Sequence, residues 1–159
     1  MLEVVNVHQQ EGEGPGPRLG KAQATVNGQV VVRKLELLGG GELQVTDTMT
    51  PGDGQPHELA VRWQGLGGLT PAEDGRGTFA PSADGGCWQD ATGVVCVQVT
   101  AAGGQKPGLT SDLQYDGLAY GVLKKHRSLR AAVKGPALLE LVSRVWVGPP
   151  GKLPPWSMP

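Results

Sequence analysis

Aromatic side chains are scarce in this sequence: one Phe, two Tyr and four Trp among 159 residues. Proteins that grip single-stranded nucleic acid stack successive bases on exposed rings, so this mode of binding is disfavoured. Long apolar runs are also lacking, and no stretch approaches the roughly 20 residues of a membrane-spanning helix. The N-terminus carries no basic-then-apolar targeting segment. We therefore expect a cytoplasmic protein without a membrane partner.

Residues that could perform chemistry are few and scattered. The three histidines, His8, His57 and His126, show none of the spacings that zinc sites use. There is no G-x-S-x-G nucleophile motif, and the stretch GEGPGPRLGKA lacks both the first glycine and the Ser/Thr of a phosphate-binding loop. We predict no metal, no cofactor and no catalytic residue. A small enzyme using Cys, His and Asp is the third of three functional hypotheses.

Glycine and proline, by contrast, are abundant, with 26 and 13 residues that together approach a quarter of the chain. This composition is typical of short regular elements joined by many turns. The length suits a single folded domain. We predict one domain over residues 1–150, β-rich over 1–100 and helical over 111–148, followed by an irregular Pro-rich tail over 151–159.

A β-hairpin is the clearest local signal, in the stretch QATVNGQVVVRKLELL. Asn27-Gly28 accepts the positive φ values of a two-residue turn, which would place Thr25 opposite Val30. Strand alternation then assigns four residues of the second arm to the core-facing side: Val31, Arg33, Leu35 and Leu37. With the other β-forming runs, this predicts an antiparallel sheet of about five to seven strands arranged in hairpins or a meander.

In the last third of the chain, the spacing of apolar residues changes from that of a strand to that of a helix. Ser111 and Gln114 fit a helical capping box, and apolar residues recur behind them at helical spacing as far as Val133. Pro136 would begin a second helix that ends at Gly148, although the pair Asp116-Gly117 also suits a hairpin turn. The predicted fold is therefore α+β, with two C-terminal helices packed on one face of the sheet.

Charge is distributed unevenly between the two parts of the chain. Residues 1–121 hold 7 Lys/Arg and 14 Asp/Glu, whereas residues 122–159 hold 7 Lys/Arg and a single acid. A basic segment accounts for most of this excess and consists of Lys124, Lys125, Arg127, Arg130 and Lys134. On the predicted helix, all of these cations except Lys125 would share one face, where they could neutralise phosphates. The alternative is a solvated helix face whose cations meet acids of the sheet.

These patterns favour a non-catalytic binding or regulatory module whose basic segment binds nucleic acid. The second hypothesis is a structural or assembly protein, such as a phage or virion component, because Gly/Pro-rich loops and near-neutral charge suit that class equally well. Sheets with one uncovered face often associate through that face or an edge, so we expect a homo-oligomer. The sequence by itself identifies no family.

Both cysteines lie in one stretch, GGCWQDATGVVCVQV. A loop of two or four residues would place Cys87 opposite Cys96, where a disulfide is possible, whereas a three-residue loop turned by Gly93 would place Cys96 opposite Trp88. Because no secretory segment is present, we expect reduced thiols that pack within the hairpin. A redox-sensitive cross-strand disulfide is the alternative.

Overall fold

Antiparallel β-strands make up most of the residues that the structure describes. The computed structural model describes residues 3–9, 19–26, 28–64, 77–119 and 122–157. Its strands are β1 (Glu3–Gln9), β2 (Leu19–Val26), β3 (Gln29–Gly39), β4 (Glu42–Met49), β5 (His57–Gln64), β6 (Gly77–Pro81), β7 (Gly85–Asp90), β8 (Val94–Ala101), β9 (Gly108–Ala119), β10 (Val122–Gly135) and β11 (Leu139–Gly148). Among these residues, no helix has the length and apolar character needed to cross a membrane.

The strands form two sheets that face each other. The larger sheet has eight strands in the order β1-β2-β3-β4-β11-β8-β7-β6, and the smaller has three in the order β5-β10-β9. Apolar side chains of both sheets meet in one core, which includes Val61 of β5, Leu129 of β10, Val97 of β8 and Leu141 of β11. Two antiparallel sheets packed over a shared core define a β-sandwich.

Two tryptophans, the fully buried Trp88 and the partly buried Trp63, join the sheets across this core. The indole N–H of Trp63, on the smaller sheet, donates a hydrogen bond to Ser143 Oγ of the larger sheet at 3.0 Å. The indole N–H of Trp88, on the larger sheet, donates to the carbonyl oxygen of Arg127 at 2.9 Å. Each indole therefore packs its apolar ring against the core while its single donor is hydrogen-bonded.

The predicted α+β fold is wrong, because the last third of the chain is strand rather than helix. β9 and β10 are neighbours in the smaller sheet, and β11 enters the larger sheet between β4 and β8. Along β10, buried Leu129, Ala131 and Val133 alternate with Arg130 and Lys134, which is the period of a strand. The two predicted C-terminal helices are thus a hairpin strand pair and a central strand.

The physical reason lies in long-range pairing. Ser111, the predicted helix cap, lies within β9 opposite Leu129, and Gln114 lies opposite His126. Gly117, also in β9, would have weakened a helix interior by about 1 kcal/mol relative to alanine. The four-residue spacing of buried Leu129 and Val133 suits one face of a helix and also one face of a strand, and pairing of this part of the chain with β5, β4 and β8 decided for the strand.

The β2–β3 hairpin is confirmed in its predicted register. Thr25 lies opposite Val30 and Ala24 opposite Val31, and Gly28 adopts a φ of 77° in the turn. The four residues assigned to the core-facing side of β3 all lie opposite core-side residues of β4, among them buried Val45 and Met49. Val31 and Leu35 are partly buried there, whereas Arg33 and Leu37 are exposed. Local turn chemistry and alternation were sufficient here because both act within a dozen residues.

A second, smaller cluster lies on the other face of the larger sheet. It contains Val94, Cys96 and Trp146, with Cys87 and Trp156 packed against them. The segment after β11 covers this face: Pro154 is fully buried, and the guanidinium carbon of Arg144 lies 4.7 Å from the centroid of the Trp156 ring. The C-terminal tail is therefore docked on the sheet through at least these contacts.

Candidate functional site

The basic segment named from the sequence lies on strand β10. The side chains of Lys124 and Lys125 lie outside the described residues. Arg130 and Lys134 occupy the outer face of the three-stranded sheet, whereas Arg127 has the parity of buried Leu129 and is nevertheless exposed. A helix would have grouped Arg127 with Arg130 and Lys134 on one face, and the strand separates it from them. The expected helical grouping is therefore wrong.

The outer face gains a further cation, Arg62, from the neighbouring strand β5. Arg62 lies directly opposite Arg130 in the β5–β10 ladder. Its Nη1 donates hydrogen bonds to Ser128 Oγ at 2.7 Å and to Asp112 Oδ2 at 3.1 Å. Ser128 is fully buried beneath it. The Arg62 guanidinium is thus held by two partners that are distant in sequence.

Sequence reasoning did not include Arg62 in the site, although a signal was present. In the run HELAVRWQ, strand alternation assigns Leu59 and Val61 to one face and Arg62 to the other. The position of Arg62 on the outer face was therefore predictable from the sequence. The proximity of Arg62 to Arg130 was not predictable, because the order of strands in a sheet depends on contacts between residues far apart in the chain.

Glu58 is the acid that two cations of this face share. Its Oε2 lies 3.3 Å from Lys134 Nζ, and its Oε1 accepts a hydrogen bond from Arg130 Nη2. The hydrogen bonds from Lys134 and from Arg130 hold the pKa of Glu58 below its ordinary value. We call Arg62, Arg130 and Lys134, with their acids Glu58 and Asp112, the charged face; three cations share two carboxylates.

We expect Glu58→Gln to weaken the dependence of the free energy of unfolding on pH in the acid range. The pKa of Glu58 is lower in the folded chain, so its stabilising contribution is present above the unfolded value and is lost as the pH falls through the folded value. Near neutral pH the variant should lose at most about 1 kcal/mol, because these ion pairs are exposed to solvent.

Urea unfolding of wild type and of Glu58→Gln checks this prediction. It is measured at about pH 7 and at about pH 3, on either side of the ordinary glutamate pKa of about 4.3. The difference in the free energy of unfolding should shrink at the lower pH. A difference that stays constant or grows toward low pH would contradict the prediction.

The cysteine hairpin has the register that places Cys87 opposite Cys96. A disulfide joins them, with an S–S distance of 2.06 Å and a Cα–Cα distance of 4.1 Å. The sulfurs are therefore bonded, whereas the sequence favoured reduced thiols. Trp88 faces Val95 and not Cys96, which is the arrangement that a three-residue loop would have changed.

Asp90 determines this register. Its Oδ1 accepts hydrogen bonds from the Thr92 hydroxyl at 2.6 Å, the Thr92 N–H at 2.7 Å and the Gly93 N–H at 3.1 Å. These bonds, the Thr92 hydroxyl first among them, lower the pKa of Asp90. The Asp90 N–H also donates to the Gly93 carbonyl, which closes the four-residue loop.

Of the three histidines, His57 is the one whose side chain the structure describes. His57 Nε2 lies 2.9 Å from each carboxylate oxygen of Asp53. The pKa of Asp53 is lowered, first by the Gln55 backbone N–H and then by His57. The side chains of His8 and His126 lie outside the described residues. Within the described part of the chain, no group of three or more His, Cys, Asp and Glu residues is arranged to hold a metal.

A groove of about 330 Å³ opens where the three-stranded sheet ends at β5. Ala22, Ala24 and Val31 of the larger sheet line it on one side, and the segment 59–61 of β5 lines it on the other. Arg33 and Asp47 also line it: Arg33 Nε and Nη2 donate to the two Asp47 carboxylate oxygens at 2.7 Å and 3.1 Å. The Asp47 side chain is 3% exposed and that of Arg33 is 46% exposed.

The molecule is thus a two-sheet β-sandwich with a charged outer face. Its fold is similar to part of a mutant of the heparan sulfate lyase HepC from Pedobacter heparinus, with a TM-score of 0.73, 14% identity, and coverage of 93% of this chain and 22% of that one. It is also similar to the heparinase III BT4657 gene product with methylated lysines, with a TM-score of 0.70, 11% identity, and coverage of 89% and 21%.

The Slr1438 protein from Synechocystis sp. PCC 6803 is a third similar structure, with a TM-score of 0.54 and 12% identity over 93% of this chain and 66% of that one. The present chain spans about a fifth of the length of the two lyase structures. At these identities the likeness shows the fold alone. No protein-family model and no curated protein sequence matches the chain significantly.

Proposed function

We propose that this chain is a non-catalytic β-sandwich module that binds an acidic polysaccharide through the charged face. The observation that carries the proposal is the placement of Arg62, Arg130 and Lys134 on one outer face, with Arg62 directly opposite Arg130 and Lys134 opposite Glu58. Guanidinium groups pair with oxyanions through parallel N–H donors. Arg62 is already oriented by Ser128 and Asp112, and Arg130 by Glu58, so little side-chain entropy is lost when an anion binds.

The choice of a polysaccharide draws support from the structural likeness. Two of the similar structures are named a heparan sulfate lyase and a heparinase, and this chain resembles about a fifth of each. A strand face with cations on neighbouring strands suits an extended acidic polymer. The excess of cations over carboxylates on the face is small, so we expect weak binding that weakens further as salt rises.

The experiment compares wild type with the double variant Arg62→Ala/Arg130→Ala in binding to heparan sulfate oligosaccharides, measured by isothermal titration calorimetry. Hydrogen bonds to charged groups contribute about 1.5–3 kcal/mol each, so the double variant should bind at least about tenfold more weakly. Lys152→Ala, which removes an exposed cation of the C-terminal tail, is the matched control and should bind like wild type. Circular dichroism establishes that each variant is folded.

Nucleic acid, the partner expected from the sequence, is the competing polyanion and forms the second arm of this experiment. A DNA duplex of matched charge should bind more weakly than the oligosaccharide. If the duplex binds more tightly and depends on the same arginines, the ligand class is nucleic acid and the polysaccharide proposal fails. If neither ligand binds at low salt, the binding function itself is contradicted.

A further inference from the structure

Strand β5 forms an outer edge of the three-stranded sheet. In the described part of the chain it pairs with β10 alone, so main-chain N–H and C=O groups on its other side are directed toward the groove. The larger sheet continues on the far side of the groove through β3 and β2. The groove is therefore an open strand position, next to β5 and facing β2 and β3.

The lining of the groove favours short aliphatic side chains and one carboxylate. Ala22, Ala24 and Val31 are small, and the space they leave equals the volume of on the order of ten waters. Arg33 stands among these apolar residues. A guanidinium has five N–H donors, and Asp47 accepts hydrogen bonds from two of its nitrogens. Because the Arg33 side chain is half-exposed, donors are accessible to a second acid.

We infer that this groove binds an extended polypeptide strand, which adds to the free edge of β5. The bound strand pairs its main chain with β5, directs alternate short aliphatic side chains toward Ala22 and Ala24, and places an Asp or Glu against Arg33. A polypeptide fits better than a saccharide because its N–H and C=O groups recur at the spacing of the β5 edge. No residue of the charged face lines this groove, so either proposal can fail without the other.

The test uses the synthetic peptide acetyl-TVTVTETVT-amide, which presents three Val and one Glu on the same side of an extended strand. Binding is measured by fluorescence anisotropy of a labelled copy. Replacing the Glu by Gln should weaken binding about tenfold, because a charge-assisted hydrogen bond to Arg33 is lost. Methylating alternate peptide nitrogens, which removes main-chain donors, should abolish binding.

Two protein variants locate the site. Ala24→Trp fills the groove and should weaken binding at least about tenfold, whereas Thr25→Trp places the same side chain on the opposite face of β2 and should leave binding unchanged. Hydrogen exchange on the wild-type protein needs no variant: the peptide should slow exchange in β5 (57–64) and leave the other edge strand, β9 (108–119), unaffected.

Three results would overturn the inference. The first is equal binding of the Glu, Gln and N-methylated peptides, and the second is peptide protection of β9 in place of β5. The third is a wild-type dimer that ignores the peptide and becomes a monomer with Ala24→Trp, because a second copy of this chain would then be the occupant. Protection confined to β5 together with loss of binding on N-methylation supports the inference.

Discussion

Replacing Arg33 by methionine should destabilise the folded chain by about 3 kcal/mol or more. The substitution leaves the Asp47 carboxylate, which is only 3% exposed, without its bidentate partner on the core-facing side of the larger sheet. The converse change, Asp47→Leu, should cost only about 1 kcal/mol, because the half-exposed Arg33 side chain can turn its guanidinium into water. The asymmetry follows from the unequal burial of the two charges.

Urea unfolding followed by circular dichroism measures both effects. The double variant Arg33→Met/Asp47→Leu should recover most of the loss, because an apolar pair of similar volume often replaces an ion pair without cost. Lys34→Met alters the next residue on the opposite face and should stay within about 0.5 kcal/mol of wild type. Equal losses for Arg33→Met and Asp47→Leu would show that burial of Asp47 does not govern the energetics of the pair.

Removing the disulfide with Cys87→Ala/Cys96→Ala should cost about 3 kcal/mol. The bridge has a sequence separation of 9, for which the chain-entropy model gives about 2.6 kcal/mol. Loss of the fully buried Cys96 sulfur beside Val94 and Trp146 adds to this value. The free energy of unfolding from urea titration, compared with wild type under oxidising conditions, gives the difference.

Adding dithiothreitol to the wild-type protein should reproduce most of this loss, since the dithiol reduces the bridge to two thiols. The same reductant should leave the double alanine variant unchanged, which makes the variant its own control. A wild-type stability that does not respond to dithiothreitol, with both thiols shown to be free by titration, would contradict the prediction.

Part of the candidate site could be predicted from the sequence. Arg130 and Lys134 were recognised as members of a basic segment, and alternation in HELAVRWQ was sufficient to place Arg62 away from the core. The convergence of Arg62 with Asp112 and Ser128 spans separations of 50 and 66 residues. No local pattern encodes contacts of that range, because they depend on which strands become neighbours.

The sequence by itself determined the β2–β3 hairpin, its register and the core-facing side of β3. Asn27-Gly28 restricts the turn, and a strand in known register assigns every second side chain to one face. Only the tertiary structure decided that the last third is strand and that β5, β10 and β9 form a separate sheet. The physical reason is that an apolar spacing such as that of Leu129 and Val133 fits both a helix and a strand. Hydrogen bonding to distant strands and burial in a shared core then selected the strand.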